Sequence, residues 1–264
     1  MFYSGNSSLK KKITSEKDYI GKDYIGKMLK FYAINLPGPS GEQRRQQVKQ
    51  EFGSHYININ IFPAVVGKEI KISDTSVDHL KVLDYRGSTI LYDSSKRINK
   101  KIMSKGELGC SMSHIGLYSQ LIKDDDNEAY FIFEDDAIFA IPFNLFTEYM
   151  NDLPPFDSFD VCTFAIDIMW YKLEFTEKIN PHYTHIKKQY FNAAYSYIVT
   201  KRGASRLLDY CHYQPNIPAD DLLSNSFIWD SVTVIAPCQG LFTIRKDVES
   251  SIDQMNENQN VKRS

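Results

Sequence analysis

The acids that could do chemistry cluster in one short run. AYFIFEDDAIFA, residues 129 to 140, sets three consecutive carboxylates, Glu134, Asp135 and Asp136, into apolar and aromatic surroundings. Tyr130 to Phe133 is short, aromatic and β-branched, which predicts an interior strand with the acids at its C-terminal end. Burying one unpaired carboxylate costs on the order of several kcal/mol unless it is paired or bound to a metal. Three together call for a cation. In open α/β sheets ligands sit just outside the carboxyl ends of the strands, where these acids fall. The plain alternative is a strand running into a solvated acidic turn. It fits less well, because AIFAIPFNLF follows at once and the acids therefore interrupt a buried region instead of ending one.

A second candidate lies upstream, in a helix expected over 111 to 123. Met112, Ile115, Leu117, Tyr118, Leu121 and Ile122 form its broad apolar face. Gly106 and Gly109 precede it, and Ser111 or Ser113 is placed to cap its first turn. Free N–H groups at such a start can receive an anion. His114 in that turn reads equally as a ligand contact or as a hydrogen-bonded structural histidine.

The elements that must hold these residues alternate along the chain. Strands are expected at 30 to 36, 56 to 62, 130 to 133, 160 to 166, 195 to 200 and 232 to 236. Helices are expected at 42 to 52, 111 to 123, 143 to 150 and 202 to 211. This alternation predicts an α/β fold, a mostly parallel central sheet with helices packed on its faces. One domain is expected over residues 29 to 252. Residues 1 to 28 are polar and lysine-rich, repeat KDYIG at 17 to 21 and 22 to 26, and are expected to form a loosely ordered arm. Two copies are too few for a repeat fold. Residues 253 to 264 offer almost nothing to bury and are expected to be a disordered tail.

Composition narrows the class. The chain of 264 residues is 42% hydrophobic and 24% charged, ordinary for a globular protein, and its net charge of −2 gives no general bias toward nucleic acid. Its 17 Tyr and 16 Phe suit stacking on sugars or bases, but a bulky core explains them first. Cys110, Cys162, Cys211 and Cys238 are too far apart for a zinc knuckle or a C-x-x-C redox pair, so free thiols are expected. The first residues lack the apolar core of a secretion signal, and no stretch approaches a membrane span. A cytoplasmic protein is expected, with Lys10, Lys11 and Lys12 able to add weak attraction to the anionic inner face of a bacterial membrane.

Three blocks, in order, resemble one family. FYAINLPGPSGEQRR (31 to 45) is similar to its I-N-L opening strand and paired arginines. GELGCSMSHIGLYSQLIKDDDNEAYFIFEDDAIF (106 to 139) resembles its G-E-x-G-C-x-x-S-H helix and E-D-D strand. AAYSYIVTKRGASRLLDY (193 to 210) and IPADDLL (217 to 223) resemble its Y-x-x-S-x-x-G-A-x-x-L-L and P-x-D-x-x-L segments. These are marks of glycosyltransferase family 25, which includes lipooligosaccharide galactosyltransferases and collagen galactosyltransferase domains. The middle block is the most specific.

The resemblance implies a GT-A-like, Rossmann-type fold with helices on both faces of the sheet, a UDP-sugar donor, usually UDP-galactose, a glycan acceptor such as lipooligosaccharide, and Mn²⁺ or Mg²⁺. Glu134, Asp135 and Asp136 then stand in the place of a D-x-D motif. Asp136 is the implied metal ligand, Glu134 holds ribose or a metal-bound water, and Asp135 donor or turn. Ile34, Asn35, Leu36, Arg44, Arg45, Ser113 and His114 are implied donor contacts, although a surface helix pair accounts for Arg44 and Arg45 equally. An inverting displacement needs a base on the acceptor hydroxyl. Asp220 is the candidate and Asp221 the second, with helix capping the sober alternative for both.

Two departures matter. Pro37 follows I-N-L where the family usually has a charged or polar residue, and no histidine follows His212 to serve as a C-terminal metal ligand. The expected site therefore leans on acids and phosphates. A catalytically silent homologue that only binds nucleotide-sugar or glycan is the competing reading, and a metal-dependent phosphohydrolase a third. Intact E-D-D and P-A-D-D segments speak against the silent homologue. The phosphohydrolase would need further acid and histidine ligands at metal spacing.

Overall fold

The computed structural model describes residues 28–55, 57–69, 105–165, 175–187, 191, 194–215, 217–228 and 230–245. Apart from Met28, the expected N-terminal arm lies outside these residues, as does the expected tail. The strands are β1 (Leu29–Asn35), β2 (Ile59–Pro63), β3 (Ala129–Glu134), β4 (Ala137–Phe139), β5 (Val161–Thr163), β6 (Phe175–Lys178), β7 (Tyr183–Ile186), β8 (Ser196–Thr200), β9 (Val234–Pro237) and β10 (Phe242–Ile244). The helices are α1 (Pro39–Gly53), α2 (Lys105–Leu121), α3 (Phe143–Asn151), α4 (Lys201–Tyr210) and α5 (Ala219–Ile228). Among the described residues no helix is long and apolar enough to cross a membrane.

Eight strands form one sheet in the order β2-β1-β3-β8-β5-β9-β7-β6. β1 pairs in parallel with β2 and β3, and β5 with β9, while β8 and β7 meet their neighbours antiparallel. Only β8 and β7 thus run against the rest, so the central sheet is mostly parallel by strand direction. β4 and β10 form a separate antiparallel pair.

Alternation along β3 gives the sheet two chemically different faces. Phe131 and Phe133 point to one side, where they meet Phe31, Phe52 of α1, Phe146 of α3, Phe164 and Phe242. Tyr130 and Ile132 point to the other. There Gln120 of α2 donates to the Tyr32 hydroxyl at 2.5 Å, and the hydroxyls of Tyr118 and Tyr197 lie 2.6 Å apart. Helices therefore cover both faces, and α4 and α5 pack beside α2 on the tyrosine side. Burial of the rings stabilises this layer, and the phenols of Tyr32, Tyr118, Tyr130 and Tyr197 each find a hydrogen-bond partner, as buried hydroxyls generally do.

The expected start of α2 is corrected. The helix begins at Lys105, so Ser111 and Ser113 lie in its interior and do not cap it, and His114 is not in its first turn. Gly106 and Gly109, expected to precede the helix, lie inside it, and packing requires the second of them there. A Cβ on Gly109 would lie 2.5 Å from the Val65 carbonyl oxygen and 2.9 Å from the Gly67 nitrogen. The Ser113 hydroxyl donates to the Gly109 carbonyl at 2.7 Å and accepts from the Val65 N–H at 2.9 Å, tying α2 to the segment after β2.

Beside α2 a buried carboxylate anchors α4. Asp160 accepts from Arg202 Nε at 2.7 Å, Arg206 Nη1 at 2.5 Å and the Thr233 N–H at 2.7 Å. Thr200 caps α4 by accepting from the Gly203 N–H at 3.0 Å. Gly203 packs so closely that a Cβ would lie 2.2 Å from the Asp160 carbonyl oxygen. Gly203→Ala should therefore destabilise the protein by about 1–3 kcal/mol or more in urea unfolding, because backbone must move. Gly53→Ala, with nothing within 4 Å of the new Cβ, should be neutral or slightly stabilising in the same measurement.

Candidate functional site

At the C-terminal ends of β1 and β3 the three acids part company. Asp135 turns toward β1 and α1. Its carboxylate accepts from Asn35 Nδ2 at 2.8 Å and from Arg44 Nη1 at 3.0 Å, with the Leu36 N–H at 3.4 Å. Asn35 also donates to the Gly41 carbonyl at 2.8 Å and accepts from Arg45 Nε at 3.1 Å, and Arg45 pairs with Glu42 at 3.3 Å. Asn35, Asp135 and Arg44 thus bind the I-N-L strand end, the start of α1 and the β3 turn into one unit. Ile34 lies opposite Glu134 in the parallel register and is buried.

Glu134 leaves β3 on the tyrosine side, toward α2. Its Oε1 lies 3.7 Å from His114 Nε2 and 3.9 Å from Cys110 Sγ. A third of its side chain, 33%, still meets solvent, whereas His114 is wholly buried. The His114 Nδ1 sits 2.6 Å from the Tyr197 hydroxyl, which in turn sits 2.6 Å from that of Tyr118. Burial lowers the His114 pKa to about 4, partly opposed by the negative charge of Asp220, so the ring is neutral near pH 7. Its Nε2 is buried with no hydrogen-bond partner among the described residues.

Asp136 turns inward beside them. One of its carboxylate oxygens, Oδ1, is buried and finds no hydrogen-bond partner among the described residues, and its carbonyl accepts from the Arg245 N–H at 3.0 Å. Asp220 and Asp221 occupy the first turn of α5. The hydrogen bond accepted by the Asp220 carboxylate comes from the Ala194 N–H, at 3.1 Å, on the turn leading into β8. Asp221 is buried. Ser111, behind Cys110, donates to the Ile217 carbonyl at 2.8 Å and so links α2 to the start of the Pro218-Ala219-Asp220-Asp221 segment.

Glu134, Asp136 and Asp220 share one electrostatic condition. Burial and then the charge of Asp135 push Glu134 up to about 7. Burial, Glu134 and Asp135 push Asp136 up to about 7, and burial and Glu134 push Asp220 up to about 6. Arg44 opposes the rise at Glu134 and Asp136 but is already engaged by Asp135. Carboxyl groups gathered without enough positive charge, one of them with an orphaned buried oxygen, are a donor set for a hard divalent ion.

Of the residues singled out from sequence, the fold brings Ile34, Asn35, Leu36, Arg44, Glu134, Asp135, Asp136, His114 and Asp220 to one strand-end region. Arg45 braces Asn35, and Ser113 faces away toward Val65. Cys110 was not among them. Spacing between the cysteines says nothing about it, but Cys110 and His114 are four residues apart, which puts both on one face of a helix.

The family model described as Glycosyltransferase family 25 (LPS biosynthesis protein) matches residues 28–223. A glycosyltransferase 25 family member of Anopheles gambiae is 26% identical over 225 residues, covering 84% of this chain and 36% of that protein. Procollagen galactosyltransferase 1 of Danio rerio is 24% identical over 193 residues, covering 73% of this chain and 30% of that protein. The chain thus spans about a third of the length of these relatives. Among solved structures, a glycosyltransferase involved in glycosylation of the PBCV-1 major capsid is 10% identical with a TM-score of 0.37, covering 88% of this chain and 99% of that one. The inositol-1-phosphate CTP transferase of T. maritima is 15% identical with a TM-score of 0.42, covering 88% and 96%.

The raised carboxyl groups give a pH signature. A carboxyl whose pKa is higher in the folded state stabilises the fold fully below its unfolded value and loses that contribution as pH rises through the folded value. Without divalent ions the melting temperature should therefore fall from about pH 4 to about pH 7, as Glu134, Asp136 and Asp220 ionise. Asp136→Asn should raise it by several degrees at the higher pH and by less at the lower one. Scanning calorimetry in EDTA checks this, and an Asn variant no more stable than the parent at high pH would remove the inferred charge crowding.

Proposed function

This chain belongs to glycosyltransferase family 25, and on that premise we propose that it moves a hexose, galactose first among them, from a UDP-sugar to a lipooligosaccharide or similar glycan, with inversion. The observation that carries the reading is the orphaned Asp136 oxygen among buried carboxyl groups whose pKa values burial and mutual repulsion push up. A catalytically silent protein has no need of so costly an arrangement.

In this proposal Asp136, with Glu134 beside it, holds Mn²⁺ or Mg²⁺. Bound there, such an ion would supply positive charge for the diphosphate leaving group. Asp135 and Arg44 do not move during the reaction. They fix the turn, and the Arg44 charge adds to the positive potential the leaving group meets. Glu134 is open enough to reach the ribose or a bound water. Asp220 takes the proton from the acceptor hydroxyl, and its pKa of about 6 suits that task near neutrality, since a base works best with a pKa close to the working pH. Asp221 lies deeper and serves the first turn of α5. The likeness to procollagen galactosyltransferase 1 supports galactose, and the family description supports a lipopolysaccharide acceptor. A GT-A-like donor site at the ends of β1 and β3 is part of the same proposal.

The direct test is incubation with UDP-sugars, Mn²⁺ and truncated lipooligosaccharide, read by product mass. Activity should require the divalent ion, and Asp136→Asn should lower turnover by about 10³ or more with the fold intact, in line with several kcal/mol of lost electrostatic stabilisation. Full activity in excess EDTA would sink the metal role.

Asp220→Asn separates a base from a scaffold. It should abolish transfer while UDP-galactose binding, measured calorimetrically, stays within a few fold. The amide oxygen can still accept from the Ala194 N–H, so a merely structural Asp220 predicts near-parental transfer.

A further inference from the structure

We infer that Cys110, His114 and Glu134 form a second cation site, for a borderline-soft divalent ion such as Zn²⁺, which adjoins the all-oxygen site at Asp136 and shares the Glu134 carboxylate with it. One ligand atom from each of the three residues lies within 4.8 Å of the other two. The Glu134 oxygen is 3.7 Å from His114 Nε2 and 3.9 Å from Cys110 Sγ. Tetrahedral zinc with bonds of about 2.0–2.3 Å holds its ligand atoms about 3.3–3.8 Å apart, so the two edges that meet at Glu134 are tenths of an ångström from closure, and the Cys110–His114 edge, within 4.8 Å, closes by a side-chain adjustment of up to about 1 Å.

The independent observation is His114. Its Nε2 is fully buried, lacks a hydrogen-bond partner among the described residues, and lies on the Glu134 side of the ring. A neutral imidazole with an idle nitrogen is a metal ligand in waiting. Its other nitrogen, Nδ1, lies 2.6 Å from the Tyr197 hydroxyl, and Tyr197 can pass its own proton toward Tyr118 at 2.6 Å. Read in that direction, Nδ1–H donates to Tyr197 and Nε2 carries the free lone pair, the arrangement in which metal-bound histidines are held by their surroundings. The Cys110 thiol releases its proton to solvent as its sulfur bonds the ion. A sulfur ligand selects against Mg²⁺ and Mn²⁺ and for zinc-like ions. The solvent-facing part of Glu134 leaves a fourth position for water.

The site stands or falls independently of sugar transfer. The full-length reduced protein, stripped with EDTA, is titrated with Co²⁺ in excess Mg²⁺. A near-ultraviolet sulfur-to-cobalt band should grow, saturate at an equivalent, and vanish when Zn²⁺ is added. It should be lost in Cys110→Ser and kept in Cys238→Ser, since Cys238 is the exposed cysteine among the described residues. To guard against misfolding of the Cys110 variant, zinc-edge X-ray absorption on Cys238→Ser should show sulfur at about 2.3 Å and lighter atoms at about 2.0 Å. No saturating band, a band that survives Cys110→Ser, or a zinc shell without sulfur would each overturn the inference.

Discussion

Everything at the strand ends depends on the carboxylate of Asp135 being held by Asn35 and Arg44. A strand leaves alternate side chains on opposite sides, so pinning the middle acid of three determines where its neighbours can go. With Asp135 drawn toward β1 and α1, Glu134 falls against α2 and Asp136 into the recess between. The pairing is buried and multiply hydrogen-bonded, the condition under which a charged pair is costly to break from one side only. The acid that looks most central in the sequence thus acts as a hinge pin, leaving its neighbours unneutralised.

The two faces of the sheet divide labour. The phenylalanine face is a tight stack of rings, Phe31, Phe52, Phe131, Phe133 and Phe242 among them. The tyrosine face carries hydroxyls that line up from Tyr118 through Tyr197 to His114 and end against Glu134. Rigid packing on one side lets a polar chain on the other keep a single geometry, because dense cores shift little under local strain. The neutrality of His114 follows from this burial, and so does the availability of its second nitrogen.

Much of this was readable from residues alone. Tyr130 to Phe133 as an interior strand, the acids at its end, and the apolar run of α2 all follow from patterns a few residues long. What escaped depends on contacts distant in sequence. That Gly109 belongs inside α2 has no local signal, because the reason for a missing side chain, the backbone around Val65 and Gly67, lies some forty residues away. β8 could be placed as a strand but not as one running antiparallel between β3 and β5, since nothing local fixes direction. Cys110 gave its signal only when paired with a histidine instead of another cysteine. The link from Ser111 to Ile217 that brings Asp220 toward the acids has no local trace at all.

The sheet order also governs how the chain can be made. β1 must wait for β3, Leu29 pairing with Ala129, and β3 must wait for β8, Ala129 pairing with Thr200. During synthesis the aromatic strand Tyr130 to Phe133 therefore leaves the ribosome with one edge open until β8, some sixty residues later, has emerged. Open apolar edges pair promiscuously, and sheets closed by distant partners form slowly. The nascent protein passes through a long window in which its future centre is its most adhesive part. A chaperone that shields this one strand would protect the assembly of the sheet and of the acids carried at the strand's end.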